Sequence, residues 1–179
     1  MENVSTKKIV VLLSSLLLMV AIAPALQGVV LASSPGAYSF NLIGPNQALA
    51  TNTIPGTPIV AGAVLGLTGS GTFDVSSAAA GGGGSFTHYN PDGSVFARGT
   101  WVVTGFQSFT PYGGPSSGIQ GGLLRVTITL FGPEATFAGL TLQVSCEVNA
   151  PSGSPGEGTT ILGLFPVPDG GRTLFHIGS

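Results

Sequence analysis

Charged residues are scarce in this sequence. Asp, Glu, Lys and Arg make up 7% of its 179 residues, against roughly 25% in an average globular protein. Both lysines, Lys7 and Lys8, lie near the N-terminus, so the only fixed cations in the rest of the chain are Arg98, Arg125 and Arg172. A nucleic-acid-binding protein needs a dense basic surface that neutralises phosphates. We therefore expect no nucleic-acid partner, and no attraction of this part of the chain to anionic membranes.

Cysteine is almost absent as well. Cys146 is the only thiol, so no disulfide can close within the chain. The low charge does not indicate disorder, because 43% of the residues are hydrophobic and disordered chains combine low hydrophobicity with high net charge. We expect stability to come from an apolar core, with Cys146 inside it as a small hydrophobic residue.

Amphipathic helical segments are also missing. The 29 glycines and 13 prolines supply almost a quarter of the residues, which disfavours helices and suits tight turns between strands. The sequence therefore predicts an all-β fold, either an antiparallel β-sandwich or a small β-barrel of about eight or nine short strands. The pattern does not choose between the two.

The N-terminus has the pattern of an export signal. Lys7 and Lys8 precede an apolar run over residues 9–26, whose length falls between a secretory hydrophobic region of about 7–15 residues and a membrane span of about 20. Ala32 before Ser33 is a suitable cleavage site. We expect residues 1–32 to form a hydrophobic signal helix and residues 33–179 a single exported β-domain. The alternative is an uncleaved membrane anchor over residues 9–26, the only part expected to contact a membrane.

Two segments alternate strictly between apolar and polar residues, in 124–130 and 140–148. Since successive side chains of a strand point to opposite faces, each predicts a strand with one buried and one solvated side. Further strands are expected over residues 38–43, 59–67, 72–75, 85–89, 94–97, 98–110, 159–165 and 172–177. Residues 76–84 end in four glycines and predict a mobile loop.

The most specific local pattern is a hairpin around Asn90-Pro91-Asp92-Gly93, which favours a type I turn. We expect Phe86 to point into the core and His88 to lie on the same face. Arg98 and Trp101, on the returning strand, are expected close to His88. His88, Arg98 and Trp101 are therefore the candidate binding residues, with a polar rim of the core as the alternative interpretation.

Signals for catalysis are weak. Residues 114–118 match the hydrolase pattern G-x-S-x-G, and Asp169 and His176 follow Ser116, but a nucleophile elbow needs a helix after the serine. His88, His176, Asp92 and Glu147 have no zinc-ligand spacing. We expect no metal, no cofactor and no catalytic residues.

Two functional hypotheses remain. The first is an exported, non-catalytic β-domain that binds a small molecule or a component of the cell surface. The second is a small-ligand β-barrel, either a carrier or an enzyme for an apolar substrate. It is motivated by the 98–110 strand, where Trp101 and Phe109 share one face and Phe106 lies on the other.

Overall fold

A computed structural model describes residues 36–115 and 118–178. The chain divides into two units, residues 1–31 and 32–179, and all described residues belong to the second. The predicted signal segment, residues 1–32, lies outside the described residues. Within the described ranges, no helix is long and apolar enough to span a membrane.

The described residues form nine antiparallel strands of one sheet, which confirms the all-β fold. The strands are β1 (Ala37–Leu49), β2 (Val64–Asp74), β3 (Ala79–Tyr89), β4 (Val95–Gly113), β5 (Ile119–Phe131), β6 (Thr136–Cys146), β7 (Gly158–Ile161), β8 (Val167–Pro168) and β9 (Arg172–Ile177).

The sheet curls back on itself into a partial ring. Its order is β4-β3-β2-β1-β9-β5-β6-β7, and β4 also pairs with β5. Strands β1, β2, β3, β4, β5 and β9 thus follow one another around the ring. Its weakest link is between β5 and β9, where only Ile119 and Gln120 pair with His176 and Phe175. The single curled sheet is closer to the barrel than to the sandwich.

Large apolar side chains form the core of the domain. Fully buried ones include Phe40, Leu67, Trp101, Leu124, Val126, Ile128, Leu142, Val144, Ile161 and Phe175. Most of the predicted inner faces of β5 and β6 is buried, whereas Leu140 and Val148 are half-buried. Cys146 is buried beside them as a free thiol. Burial of one such large apolar side chain stabilises the fold by about 1.5–3 kcal/mol, which agrees with a domain stabilised by its core.

The four-glycine run is part of a strand, so the prediction of a mobile loop over residues 76–84 is wrong from Ala79 onward. Strand β3 pairs with β2 along its whole length. The two backbones lie so close that a Cβ atom at Gly84 would be 2.7 Å from Gly69 Cα, and one at Gly82 would be 2.5 Å from Gly71 Cα. Glycine therefore permits a close approach of backbones here rather than flexibility.

The outer face of β6 is covered at Gln143 and Ser145, contrary to the expectation of a solvated side. The segment between β6 and β7 lies over Ser145. The Ser145 hydroxyl donates to the carbonyl of Pro155 at 3.1 Å.

Glu157 fixes this covering segment to the sheet. Its carboxylate accepts hydrogen bonds from the Glu147 amide at 2.7 Å, the Thr173 amide at 2.6 Å and the Thr173 hydroxyl at 2.8 Å. Each hydrogen bond to a charged group contributes about 1.5–3 kcal/mol to the free energy of unfolding. Glu157 thus joins β9 to the end of β6.

Candidate functional site

The predicted hairpin around residues 90–93 is present. The Gly93 amide donates to the Asn90 carbonyl at 2.9 Å, and β3 and β4 pair on either side of the turn. Phe86 and His88 are both buried on the inner face, which confirms their predicted orientation.

The structure does not bring the three candidate binding residues together. In the β3–β4 register, His88 lies opposite Ala97 and Thr87 lies opposite Arg98, so Arg98 points to the outer face and is exposed. Trp101 is buried and lies opposite Gly84, four residues from His88, which is about 13 Å along the strand. The expected cluster is wrong because Arg98 and Trp101 are three residues apart, and an odd spacing places strand residues on opposite faces.

His88 is a core residue in an apolar environment. Its side chain is 6% exposed, and its ring packs edge-on against Phe96 and Phe165 at centroid distances of 5.1 and 5.6 Å. Its Nε2 atom has no hydrogen-bond partner among the described residues. Burial lowers the pKa of His88, so the neutral imidazole is favoured.

Trp101 lies across the glycines of the ring wall. Its indole Nε1 donates to the Thr68 carbonyl at 3.0 Å. A Cβ atom at Gly69 would lie 2.8 Å from its Cζ2 atom. The glycine at position 69 therefore leaves the room that the indole occupies, and Trp101 fills the interior rather than lining a pocket.

The hydrolase triad does not form. Ser116 lies outside the described residues, but Asp169 and His176 are placed. The Asp169 amide donates to the Gln47 carbonyl, and His176 lies opposite Ser39. Gln47 and Ser39 lie opposite Gly66 and Thr72 of β2, which are six residues apart, roughly 20 Å. Asp169 and His176 are therefore far too distant for a shared proton.

Aromatic rings gather at one end of the ring, and we call Tyr38, Phe73, Phe106, Phe109 and Phe175 the aromatic end. Tyr38 stacks on Phe73 at 5.1 Å, and Phe109 packs against both at 4.9 and 4.8 Å. Phe106 and Phe175 lie 6.1 and 5.9 Å from Phe73.

Irregularities in β4 bring Phe106 and Phe109 to the same cluster, although their spacing predicts opposite faces. The β4–β5 register shifts between Val103 and Gly105 and again between Phe106 and Ser108. A bulge inserts an extra residue and redirects the side chains that follow. Sequence alternation could not reveal this, because nothing in β4 alone marks where its pairing slips.

A pocket lies beside the aromatic end, with a volume of about 270 Å³. Its walls are Ala37, Tyr38, Thr72, Phe73, Asp74, Ala79, Ala80 and Gly81. None of the three candidate binding residues lines it. Sequence reasoning missed this pocket because its walls come from the ends of β1, β2 and β3, of which the start of β3 was predicted as a loop.

The chemistry of the pocket is that of a binding site with a single charge. Half-buried Tyr38 and the alanines supply apolar surface, and Asp74 supplies a carboxylate. In the described part of the chain, no three His, Cys, Asp or Glu side chains lie close enough together to hold a metal ion.

The chain matches no protein-family model, no curated protein and no solved structure.

Proposed function

We propose that this chain is exported and that its β-domain is a non-catalytic binding domain, with its ligand site in the pocket at the aromatic end. The observation that carries the proposal is the pocket of about 270 Å³ with Tyr38 and Phe73 in its walls. Ligand pockets combine apolar and aromatic walls with a few polar groups, and this pocket has that composition.

The packing of the ring interior favours this site over an internal one. Phe40, Trp101 and Phe175 are fully buried in the interior, where the ligand of a β-barrel carrier would have to lie. Drug-sized ligands occupy pockets of about 300–1,000 Å³, so we expect a smaller molecule at the aromatic end.

The test is a titration of the purified full chain, in the form that the cell produces, with a panel of small aromatic and aliphatic compounds. Binding is followed by amide chemical shifts in NMR spectra. At least one compound should shift the amides of Thr72 and Gly81 at the pocket, and leave the indole resonance of Trp101 unchanged. Shifts at Trp101 instead would favour the internal site of a carrier.

A matched pair of leucine variants provides the control. A Cβ atom at Gly81 meets no heavy atom within 4 Å, so Gly81→Leu should fold normally and fill the pocket. Thr87→Leu introduces the same side chain on the same strand, about 20 Å away. Binding should be lost in Gly81→Leu and kept in Thr87→Leu. A panel without any compound that binds the pocket, or equal binding by both variants, would refute the proposal.

The export part of the proposal has a separate test. The full chain with a C-terminal tag should appear outside the cytoplasm, with Ser33 as its N-terminal residue in mass spectrometry. Leu17→Arg, which places a charge in the apolar run, should retain it in the cytoplasm. A full-length chain in the membrane fraction would identify residues 9–26 as an anchor, and a full-length cytoplasmic chain would contradict export.

A further inference from the structure

We propose that the ligand of the pocket at the aromatic end is a small organic ammonium cation with an aromatic or aliphatic body, bound through Asp74. This inference rests on the proposed binding function and adds the charge of the ligand to it. Three features support it: the fixed orientation of the Asp74 carboxylate, its distance from Arg98 and Arg172, and the apolar walls of the pocket.

The Asp74 carboxylate is held in place, and one of its oxygens has no hydrogen-bond partner within residues 36–115 and 118–178. Its Oδ1 atom accepts hydrogen bonds from the amides of Ser76 and Ser77 at 2.7 and 3.1 Å. These two bonds fix the side chain in the turn between β2 and β3. All hydrogen bonds to Asp74 among the described residues go to Oδ1, so Oδ2 can accept one from a ligand. Since Asp74 lines the pocket, a donor there would meet a preorganised acceptor.

Neither Arg98 nor Arg172 lies close enough to neutralise Asp74. In the strand pairing, Asp74 lies opposite Ala37 and Ala79. Arg172 lies opposite Ile43 and Arg98 opposite Thr87. Those positions are six and eight residues from the pocket ends of β1 and β3, about 20 and 26 Å away. At such distances, beyond the Debye length of about 8 Å at physiological ionic strength, these two arginines leave the charge of Asp74 largely uncompensated. The third arginine, Arg125, donates a hydrogen bond from its Nε atom to the Gln143 side-chain oxygen on β6.

The remaining walls suit the body of such a cation. Half-buried Tyr38 and the alanines offer apolar contact for it. A carboxylate strengthens a hydrogen bond from an ammonium group relative to one from a neutral donor. An anionic compound of the same shape would be repelled. Among molecules small enough for a pocket of about 270 Å³, charge complementarity therefore favours a cation over a neutral or anionic compound.

The test compares three probes of similar shape, benzylammonium, benzyl alcohol and benzoate, by NMR titration of the full chain. Benzylammonium should bind about fivefold more tightly than benzyl alcohol, which is the preference expected for a partly solvated charge pair. Benzoate should bind more weakly than either. High salt should reduce the preference for the cation.

Two Asp→Asn variants identify the group responsible. Asp74→Asn keeps an Oδ1 acceptor for the turn but removes the charge, and should bring the affinities for benzylammonium and benzyl alcohol close together. Asp92→Asn is the control, because Asp92 also accepts an amide hydrogen bond within a turn, from Ser94, at the opposite end of β3. It should leave the preference unchanged.

The outcomes separate this inference from the proposed function. If benzyl alcohol binds at Gly81 as tightly as benzylammonium, or Asp74→Asn keeps the preference, the cation inference is overturned and the binding function stands. If none of the probes, nor any compound of the larger panel, shifts Gly81, both are overturned.

Discussion

Two glycines of the same run, Gly81 and Gly84, should respond differently to replacement by alanine. At Gly81 an added Cβ atom meets open space, so Gly81→Ala should change the free energy of unfolding little, or raise it by up to about 1 kcal/mol by restricting the unfolded chain. At Gly84 the added atom would collide with the Thr68 carbonyl and lie 2.7 Å from Gly69 Cα.

The magnitude at Gly84 follows from the atoms involved. Overpacking a core typically costs about 1–3 kcal/mol when side chains can shift. Here the neighbours are backbone atoms of a paired strand, which move only if the β2–β3 pairing moves. We therefore expect Gly84→Ala to lower the free energy of unfolding by about 3 kcal/mol, at the upper end of that range.

Urea denaturation measures both variants, with fluorescence of the single, fully buried Trp101 as the signal and far-UV circular dichroism as a check. With a denaturant dependence of about 2 kcal/mol per molar urea, the midpoint of Gly84→Ala should lie about 1.5–2 M below that of Gly81→Ala. Equal midpoints would show that residues 81–84 behave as the flexible loop predicted by their composition, and would refute the close approach of β2 and β3.

Buried His88 and Cys146 and half-buried Glu157 should each respond to a specific perturbation. The free energy of unfolding should fall as the pH drops below the ordinary histidine pKa of 6.5, because burial lowers the pKa of His88 and the unfolded chain takes up the proton first. His88→Leu should flatten this part of the pH–stability curve. An unchanged slope would assign the pH dependence to another group. Glu157→Gln should destabilise the domain by about 1–3 kcal/mol in urea unfolding, since an NH2 group would then face the donors of Glu147 or Thr173. The control, Glu134→Gln at an exposed position, should cost under about 0.5 kcal/mol. Burial raises the pKa of the Cys146 thiol, so a thiol reagent at pH 8 should label Cys146 only as fast as the domain unfolds. Immediate labelling would contradict the place of Cys146 in the core.

Local patterns in the sequence determined the secondary structure where one strand carries its own signal. The alternation over residues 124–130 predicted the buried face of β5, because a strand's side-chain period of two is a property of its own backbone. The turn at residues 90–93 was predictable for a similar reason, since Asn, Pro and Gly each favour the conformation of their own turn position.

Local patterns misled where a residue's role depends on another strand. The composition of residues 81–84 indicates flexibility, but these glycines are required because the backbone of β2 lies against them. Phe106 and Phe109 have the spacing of opposite faces, yet register shifts between β4 and β5 bring them to one cluster. Neither effect is encoded in the segment that shows it.

The candidate site was decided by the tertiary structure. The sequence selected His88, Arg98 and Trp101, which combine three chemistries within one hairpin, but two of them fill the core and one faces outward. The pocket instead joins Tyr38, Phe73, Asp74 and Gly81, which strands β1, β2 and β3 bring together only once they are paired.

Partial closure of the ring likewise depends on the contact of Gln120 with Phe175, two residues far apart in the chain. The sequence thus determined an all-β chain with an apolar core, through interactions local to each strand. Long-range pairing decided the ring, the aromatic end and the pocket.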